Sequence, residues 1–235
     1  YSIGGATGTF QTSPVFTVAA GSYTVHVKDA NGCIVPSAAV TVYPQLTANA
    51  AVTRELSCSP TTPDAQITVT ASGGRTGYTY EVSTNGGTTY AAMGSNVYTA
   101  SASGTYTFRV TDSNTPGCTV ITTATVNGIS DPTVTASQVN VSCNGGAANG
   151  SVTLTGAGGS GGYTYSNNAT SGFTATATFT GLSAGSYTFY VKDSKGCPGS
   201  VNVTITQPTA LTTTASATAF SCNTTNVKQS AVVTV

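Results

Sequence analysis

One segment recurs three times along the chain and limits the folds open to it. Ala20-Gly21-Ser22-Tyr23-Thr24-Val25-His26-Val27-Lys28-Asp29 leads to Gly32-Cys33. Ala184-Gly185-Ser186-Tyr187-Thr188-Phe189-Tyr190-Val191-Lys192-Asp193 leads to Gly196-Cys197. A middle copy runs from Ser103-Gly104-Thr105-Tyr106 through Asp112 to Gly117-Cys118. A second block repeats as Leu56-Ser57-Cys58, Val141-Ser142-Cys143 and Phe220-Ser221-Cys222, and a third as Gly77-Tyr78-Thr79-Tyr80 and Gly162-Tyr163-Thr164-Tyr165. Both cysteine series step by 85 and then 79 residues. The middle copy is therefore six residues longer, two of them Thr115-Pro116 and the other four between Thr84 and Asn96. A fixed period marks a repeat architecture.

Tyr1 aligns with Tyr165, inside a repeat. The expected organisation is the C-terminal part of a repeat at 1–44, complete repeats at 45–131 and 132–208, and the N-terminal part of another at 209–235. Half a sandwich cannot bury a core, so the parent is expected to be a longer array.

Within a repeat, Tyr187, Phe189 and Val191 alternate with Thr188, Tyr190 and Lys192, the period of two of a half-buried strand. Tyr106, Phe108 and Val110 face inward on the same pattern, with Thr107, Arg109 and Thr111 outward. Further strands are expected at 200–206, 211–220, 150–155, 162–166 and 173–180. Six or seven short strands in about 80 residues predict an all-β fold of tandem immunoglobulin-like β-sandwich repeats arranged as a rod. The Gly-x-Tyr at the start of the penultimate strand resembles the tyrosine corner of such folds. A solenoid is the alternative, but its period is usually shorter, about 20–50 residues. Gln207-Pro208-Thr209 is the expected short linker, stiffened by proline.

Composition excludes several functions. Charged residues make up 6% of the 235, and seven basic residues balance seven acidic ones. No basic face is available for a phosphate backbone, which argues against a nucleic-acid partner. No apolar run approaches the roughly 18–20 residues of a spanning helix, which argues against membrane insertion. The recurring Val, Thr and Tyr do not fit a disordered chain.

These motifs resemble the SprB repeat of Bacteroidota cell-surface adhesins. Ser142-Cys143-Asn144-Gly145, Gly161-Gly162-Tyr163-Thr164-Tyr165, Gly185 to Cys197 and Gln207-Pro208 match its pattern closely. The middle repeat departs from it, with Ser57-Cys58-Ser59-Pro60 and Ser130-Asp131-Pro132. Related polycystic-kidney-type domains share part of the pattern. The resemblance implies a very large secreted protein, exported by the type IX system and displayed at the cell surface as filaments, with attachment or gliding motility as the role of some members.

Six cysteines at repeat-equivalent places, with no CxxC, predict disulfides in an oxidising, extracellular compartment and not zinc. Three pairings are open. One closes each repeat, Cys58 to Cys118 and Cys143 to Cys197. Another spans the constant 25-residue spacing: Cys33 to Cys58, Cys118 to Cys143, Cys197 to Cys222. The third staples neighbouring repeats, Cys58 to Cys197, and leaves the other four to partners outside the window. In a head-to-tail rod the Ser-Cys end of one repeat faces the Gly-Cys end of the next. The two cysteines of a single repeat would lie a domain length apart, roughly 25–30 Å at ~3.3 Å per residue. A disulfide tolerates a Cα separation of only about 4.4–6.8 Å, so Cys58 with Cys197 is the first choice.

Asp29, Asp112 and Asp193 recur where the penultimate strand ends. They read as turn caps, Asp side chains accepting turn amide hydrogens, in preference to calcium ligands, because calcium wants several carboxylates. The single His26 takes the outward place held by Arg109 and Tyr190. With one histidine no catalytic triad can recur in each repeat, so neither an enzyme nor a cofactor or metal is expected. The Gly156–Gly162 stretch lacks the lysine and following helix of a phosphate loop. The function expected is a structural and adhesive segment of a long secreted surface filament or stalk. Its partners would be neighbouring repeats, self-association into filaments, and a surface or polysaccharide target. The alternatives are a glycan-binding module using Tyr90, Tyr98 and Tyr190, or a non-catalytic spacer of a larger secreted enzyme.

Overall fold

A computed structural model describes residues 1–235, the side chain of Gln229 excepted. The chain divides into two compact units, Tyr1–Ile129 and Ser130–Val235. Among the described residues no helix is long and apolar enough to cross a membrane.

The first unit begins with four three-residue strands: β1 (Gly21–Tyr23), β2 (His26–Lys28), β3 (Ile34–Pro36) and β4 (Val40–Val42). They form two small antiparallel pairs, β1 with β4 and β2 with β3. A seven-stranded sandwich follows: β5 (Thr47–Arg54), β6 (Ala65–Ser72), β7 (Thr79–Ser83), β8 (Ala91–Met93), β9 (Val97–Ala100), β10 (Gly104–Thr111) and β11 (Thr119–Val126). One sheet has the order β5-β6-β9 and the other β11-β10-β7-β8. β5 packs against β11, and the Ala50 amide donates to Thr122 Oγ1 at 3.3 Å between the sheets.

The second unit carries β12 (Pro132–Val139), β13 (Gly150–Gly158), β14 (Thr164–Ser166), β15 (Thr178–Leu182), β16 (Gly185–Lys192) and β17 (Pro198–Ile205). Its sheets are β12-β13-β15 and β14-β16-β17. Four two-residue strands follow, β18 (Ser216–Ala217), β19 (Ser221–Cys222), β20 (Lys228–Gln229) and β21 (Val233–Thr234), paired β18 with β21 and β19 with β20. Each complete repeat is thus an immunoglobulin-like pair of antiparallel sheets around its own core.

The alternation in the sequence builds those cores. Ile67, Val69, Phe108, Val110 and Val126 are buried in the first. Val152, Leu154, Phe189, Val191 and Ile205 fill the same role in the second. Apolar side chains two apart on a strand share one face, and two such faces meet to exclude water.

The structure corrects two local expectations and shows what the inserted residues of the middle copy form. Thr107, placed outward by alternation, is buried. The loop of 84–90 lies over it, so that a Cβ on Gly87 would sit 3.9 Å from its methyl group. The four extra residues between Thr84 and Asn96 make room for β8, which lengthens the sheet beside β7. The strand expected at 211–220 is reduced to Ser216–Ala217, because only two residues of it find pairing partners. Its counterpart β12 pairs along all eight of its residues.

The tyrosine that opens each penultimate strand ties back to a carbonyl four residues earlier. Tyr106 donates its hydroxyl hydrogen to Ala102 O at 2.8 Å, Tyr187 to Ser183 O at 3.0 Å and Tyr23 to Ala19 O at 3.0 Å. Burial raises the Tyr106 phenol above its ordinary range. Tyr106→Phe keeps the ring and loses this bond, so denaturant unfolding should show a loss of about 1 kcal/mol from the first sandwich.

Candidate functional site

The chemistry-bearing residues gather at the turn after each penultimate strand. Asp193 stands at the end of β16 and β17 begins just past Cys197, leaving a short turn with Gly196 at φ +78°. The buried Asp193 side chain fills that turn. Its Oδ1 accepts the amides of Lys195 and Cys197, each at 2.9 Å. Its Oδ2 accepts the Ser160 amide at 2.7 Å. Asp112 repeats the arrangement, with Oδ1 accepting the amides of Asn114 (3.1 Å) and Cys118 (2.8 Å) and Oδ2 the amide of Arg75 (3.0 Å). Asp29 Oδ1 accepts the amides of Asn31 and Cys33 at 3.0 and 2.8 Å.

The Oδ2 contact had no signal in local spacing. It brings the glycine-rich loop after β6, or after β13, onto the carboxylate. Glycine is needed there: Gly74 and Gly159 have φ of +57° and +56°, and a Cβ would lie 2.6 or 2.8 Å from the aspartate Oδ2. Tyr78 and Tyr163 clasp the same loops, each donating to the carbonyl five residues back, Gly73 O and Gly158 O, at 2.6 Å. A self-comparison of the repeats could have found this unit, since Gly-Gly, Tyr and Asp recur together.

These bonds set the charge state. The Arg75 amide, ahead of those of Cys118 and Asn114, holds the Asp112 carboxyl below the usual carboxylate range. Burial pushes the Asp193 carboxyl up, but the amides of Ser160, Cys197 and Lys195 outweigh it and the net shift is downward. Backbone amides thus hold both aspartates as anions.

Cys58 and Cys197 are each disulfide-bonded. Cys33, Cys118, Cys143 and Cys222 are exposed thiols. Two of the pairings open from sequence need Cys118 and Cys143 in disulfides, and both are thiols here.

Two of the tyrosines considered for a glycan platform, Tyr90 and Tyr98, are committed elsewhere. Arg109 lies over the Tyr90 ring, its Cζ 4.3 Å from the centroid, and pairs with Glu81 through two hydrogen bonds of 2.6 and 2.8 Å. That pairing keeps the Glu81 carboxyl low. Tyr98 packs against Tyr106 and Phe108 in the first core. Tyr190 is half-buried on β16 between Ser166 and Ser200 of the flanking strands, and His26 pairs its backbone with Ser2.

Among solved structures, a calcium-stabilised adhesin with which an Antarctic bacterium binds ice is 18% identical over 85% of this chain and 59% of its own, with a TM-score of 0.40. A C-terminal 282-residue fragment of intimin, solved in complex with the intimin-binding domain of its translocated receptor, is 15% identical over 70% of this chain, with a TM-score of 0.35. The chain spans 64% of that fragment. The fibronectin(III)-like modules of Clostridium thermocellum CbhA are 19% identical over 69% of this chain and 95% of theirs, with a TM-score of 0.31. No curated protein matches the chain in sequence. Residues 50–87 and 135–170, each reaching from the first strand of a complete sandwich past its Gly-Tyr-Thr-Tyr motif, match the SprB repeat model.

Proposed function

We propose that the chain is a structural, non-catalytic segment of an extracellular surface adhesin, built from repeats 45–131 and 132–208 between the partial repeats 1–44 and 209–235. The observation that carries this reading is the division among the cysteines. Of six at repeat-equivalent positions, Cys58 and Cys197 are disulfide-bonded and the other four are thiols. We propose that these two are partners: the Ser-Cys of one repeat bonded to the Gly-Cys of the next. Such a bond staples neighbouring repeats and resists their separation under load. The aspartate-centred turns fix the Gly-Cys cysteines where that bond is made. SprB repeats and a disulfide both favour display outside the cell, where thiols are oxidised. Display as a filament, export by the type IX system, and service in attachment or gliding follow from the family resemblance and belong to this proposal.

Non-reducing peptide mapping of native protein tests it. A peptide joining Cys58 to Cys197 is the expected result. A Cys58–Cys118 peptide would mean that each repeat closes on itself, and the staple would be wrong.

A further inference from the structure

The residues inserted between Thr84 and Asn96 are not needed to close a sandwich. In the second sandwich a single bridge, Tyr165 with Thr174, stands where the first has β8. What the insertion adds is a recess of about 400 Å³, inside the range of about 300–1,000 Å³ of small-molecule sites. It opens where both sheets of the first sandwich end, between β8, the outermost strand of one, and β9, the outermost strand of the other.

The walls of the recess are fixed by the fold. In the loop of 84–90, Asn85 Oδ1 accepts the Ser83 hydroxyl hydrogen at 2.7 Å and the Thr89 amide at 3.0 Å, and Gly87 donates its amide to Ser83 Oγ at 2.9 Å. Gly86 and Gly87 take φ of +71° and +89° to make that turn. Asn85 Nδ2 donates to Thr89 Oγ1 at 2.8 Å, which leaves the Thr89 hydroxyl hydrogen for a partner outside the loop. Arg109 holds Tyr90, and Tyr106 and Phe108 hold Tyr98. The same contacts that keep these rings from forming an open platform make them rigid walls. Buried Val82 also lines the recess, and Ala91, its partner across the ladder, shares its face. A site ordered by folding spares its ligand the cost of ordering it.

The lining selects the ligand. Among the described residues no charged side chain lines the recess. An ion would give up its water there and gain no opposite charge. A wholly apolar molecule would strip water from the hydroxyls of Thr84, Thr89 and Thr99 and put nothing in its place. A neutral sugar meets both conditions. Its hydroxyls donate and accept, and its ring carbons present C–H surface to Val82, Met93 and the tyrosine walls.

We propose that the recess between β8 and β9 binds a neutral saccharide, with Thr89 donating to a sugar hydroxyl. The first complete repeat then makes an adhesive contact that the second, without β8, does not. This assignment is independent of how the cysteines pair.

The test is titration of the 235-residue protein with maltotriose, cellotriose and mannotriose, followed by NMR chemical shifts and calorimetry. Trigalacturonic acid and an uncharged extended peptide serve as comparisons. The expected result is binding of at least one neutral trisaccharide with a millimolar or lower Kd, with shifted amides confined to residues 82–99 and neither comparison bound as tightly. Ala91→Trp fills the face shared with Val82 and should weaken that binding at least about tenfold. Ala91 is exposed, so the first sandwich should keep its melting temperature. Thr89→Val should weaken binding about tenfold through the lost donor, the change that ~1.4 kcal/mol represents. Tyr190→Ser, on the second sandwich, should bind as wild type. No neutral trisaccharide bound at millimolar concentration, tighter binding of the acid or the peptide, binding that survives Ala91→Trp, or binding lost in Tyr190→Ser would each overturn the proposal.

Discussion

Phe189→Ala should come close to unfolding the second sandwich. Phe189 lies on β16, the middle strand of its sheet, with no exposed surface. Its ring centroid is 4.8 Å from that of Phe179 and 6.1 Å from that of Tyr187, so it bridges the two sheets and the tyrosine corner. Truncating a buried phenylalanine costs about 3–5 kcal/mol in lost transfer energy and residual cavity. A domain of this size holds roughly 4–12 kcal/mol in all, at about 0.05–0.15 kcal/mol per residue. Calorimetry should show a fall in melting temperature of roughly 15–30 °C for this repeat. The first sandwich, which has its own core around Phe108, should keep its transition. A loss below about 1 kcal/mol would mean that the core closes without this ring.

Asp193→Ala should be the most damaging polar substitution. It removes the acceptor for three backbone amides at once, those of Ser160, Lys195 and Cys197. Leaving a buried donor unpaired costs about 1–3 kcal/mol. Water reaches part of this turn, so a total of about 2–3 kcal/mol in denaturant unfolding is expected. Asp193→Asn should recover part of it, since an amide oxygen still accepts, though without charge. The pH dependence separates the two contributions. The folded carboxyl titrates below its unfolded value, so its stabilisation is complete above the unfolded pKa of about 3.9 and is lost as pH falls through the folded value. Wild type should therefore lose stability more steeply than Asp193→Asn as pH falls below about 4. Equal acid slopes would show that the carboxylate's charge contributes nothing there.

Which parts of this were legible follows from the range of the interactions. The pattern Tyr187, Phe189, Val191 reports a strand because successive side chains point to opposite faces whatever lies beyond them. The tyrosine corner and the Oδ1 turn bonds close within two to six residues, and the recurrence of Gly-x-Tyr and Asp was enough to expect them. The 211–220 strand shows where this logic stops. Its residues favour a strand as strongly as those of β12, but a strand exists only where a neighbour takes its hydrogen bonds.

The sequence by itself determined the repeat period, the all-β class, most of the inward and outward faces and the match to the SprB repeat model. Each depends on residues close along the chain, or on copies compared with one another. The tertiary structure alone decided which loop reaches Asp193 Oδ2, that an inserted stretch becomes β8 and buries Thr107, and which two of six equivalent cysteines are oxidised. Those outcomes depend on groups dozens of residues apart. Their meeting is set by how two sheets close over a core, and spacing along the chain does not encode that closure.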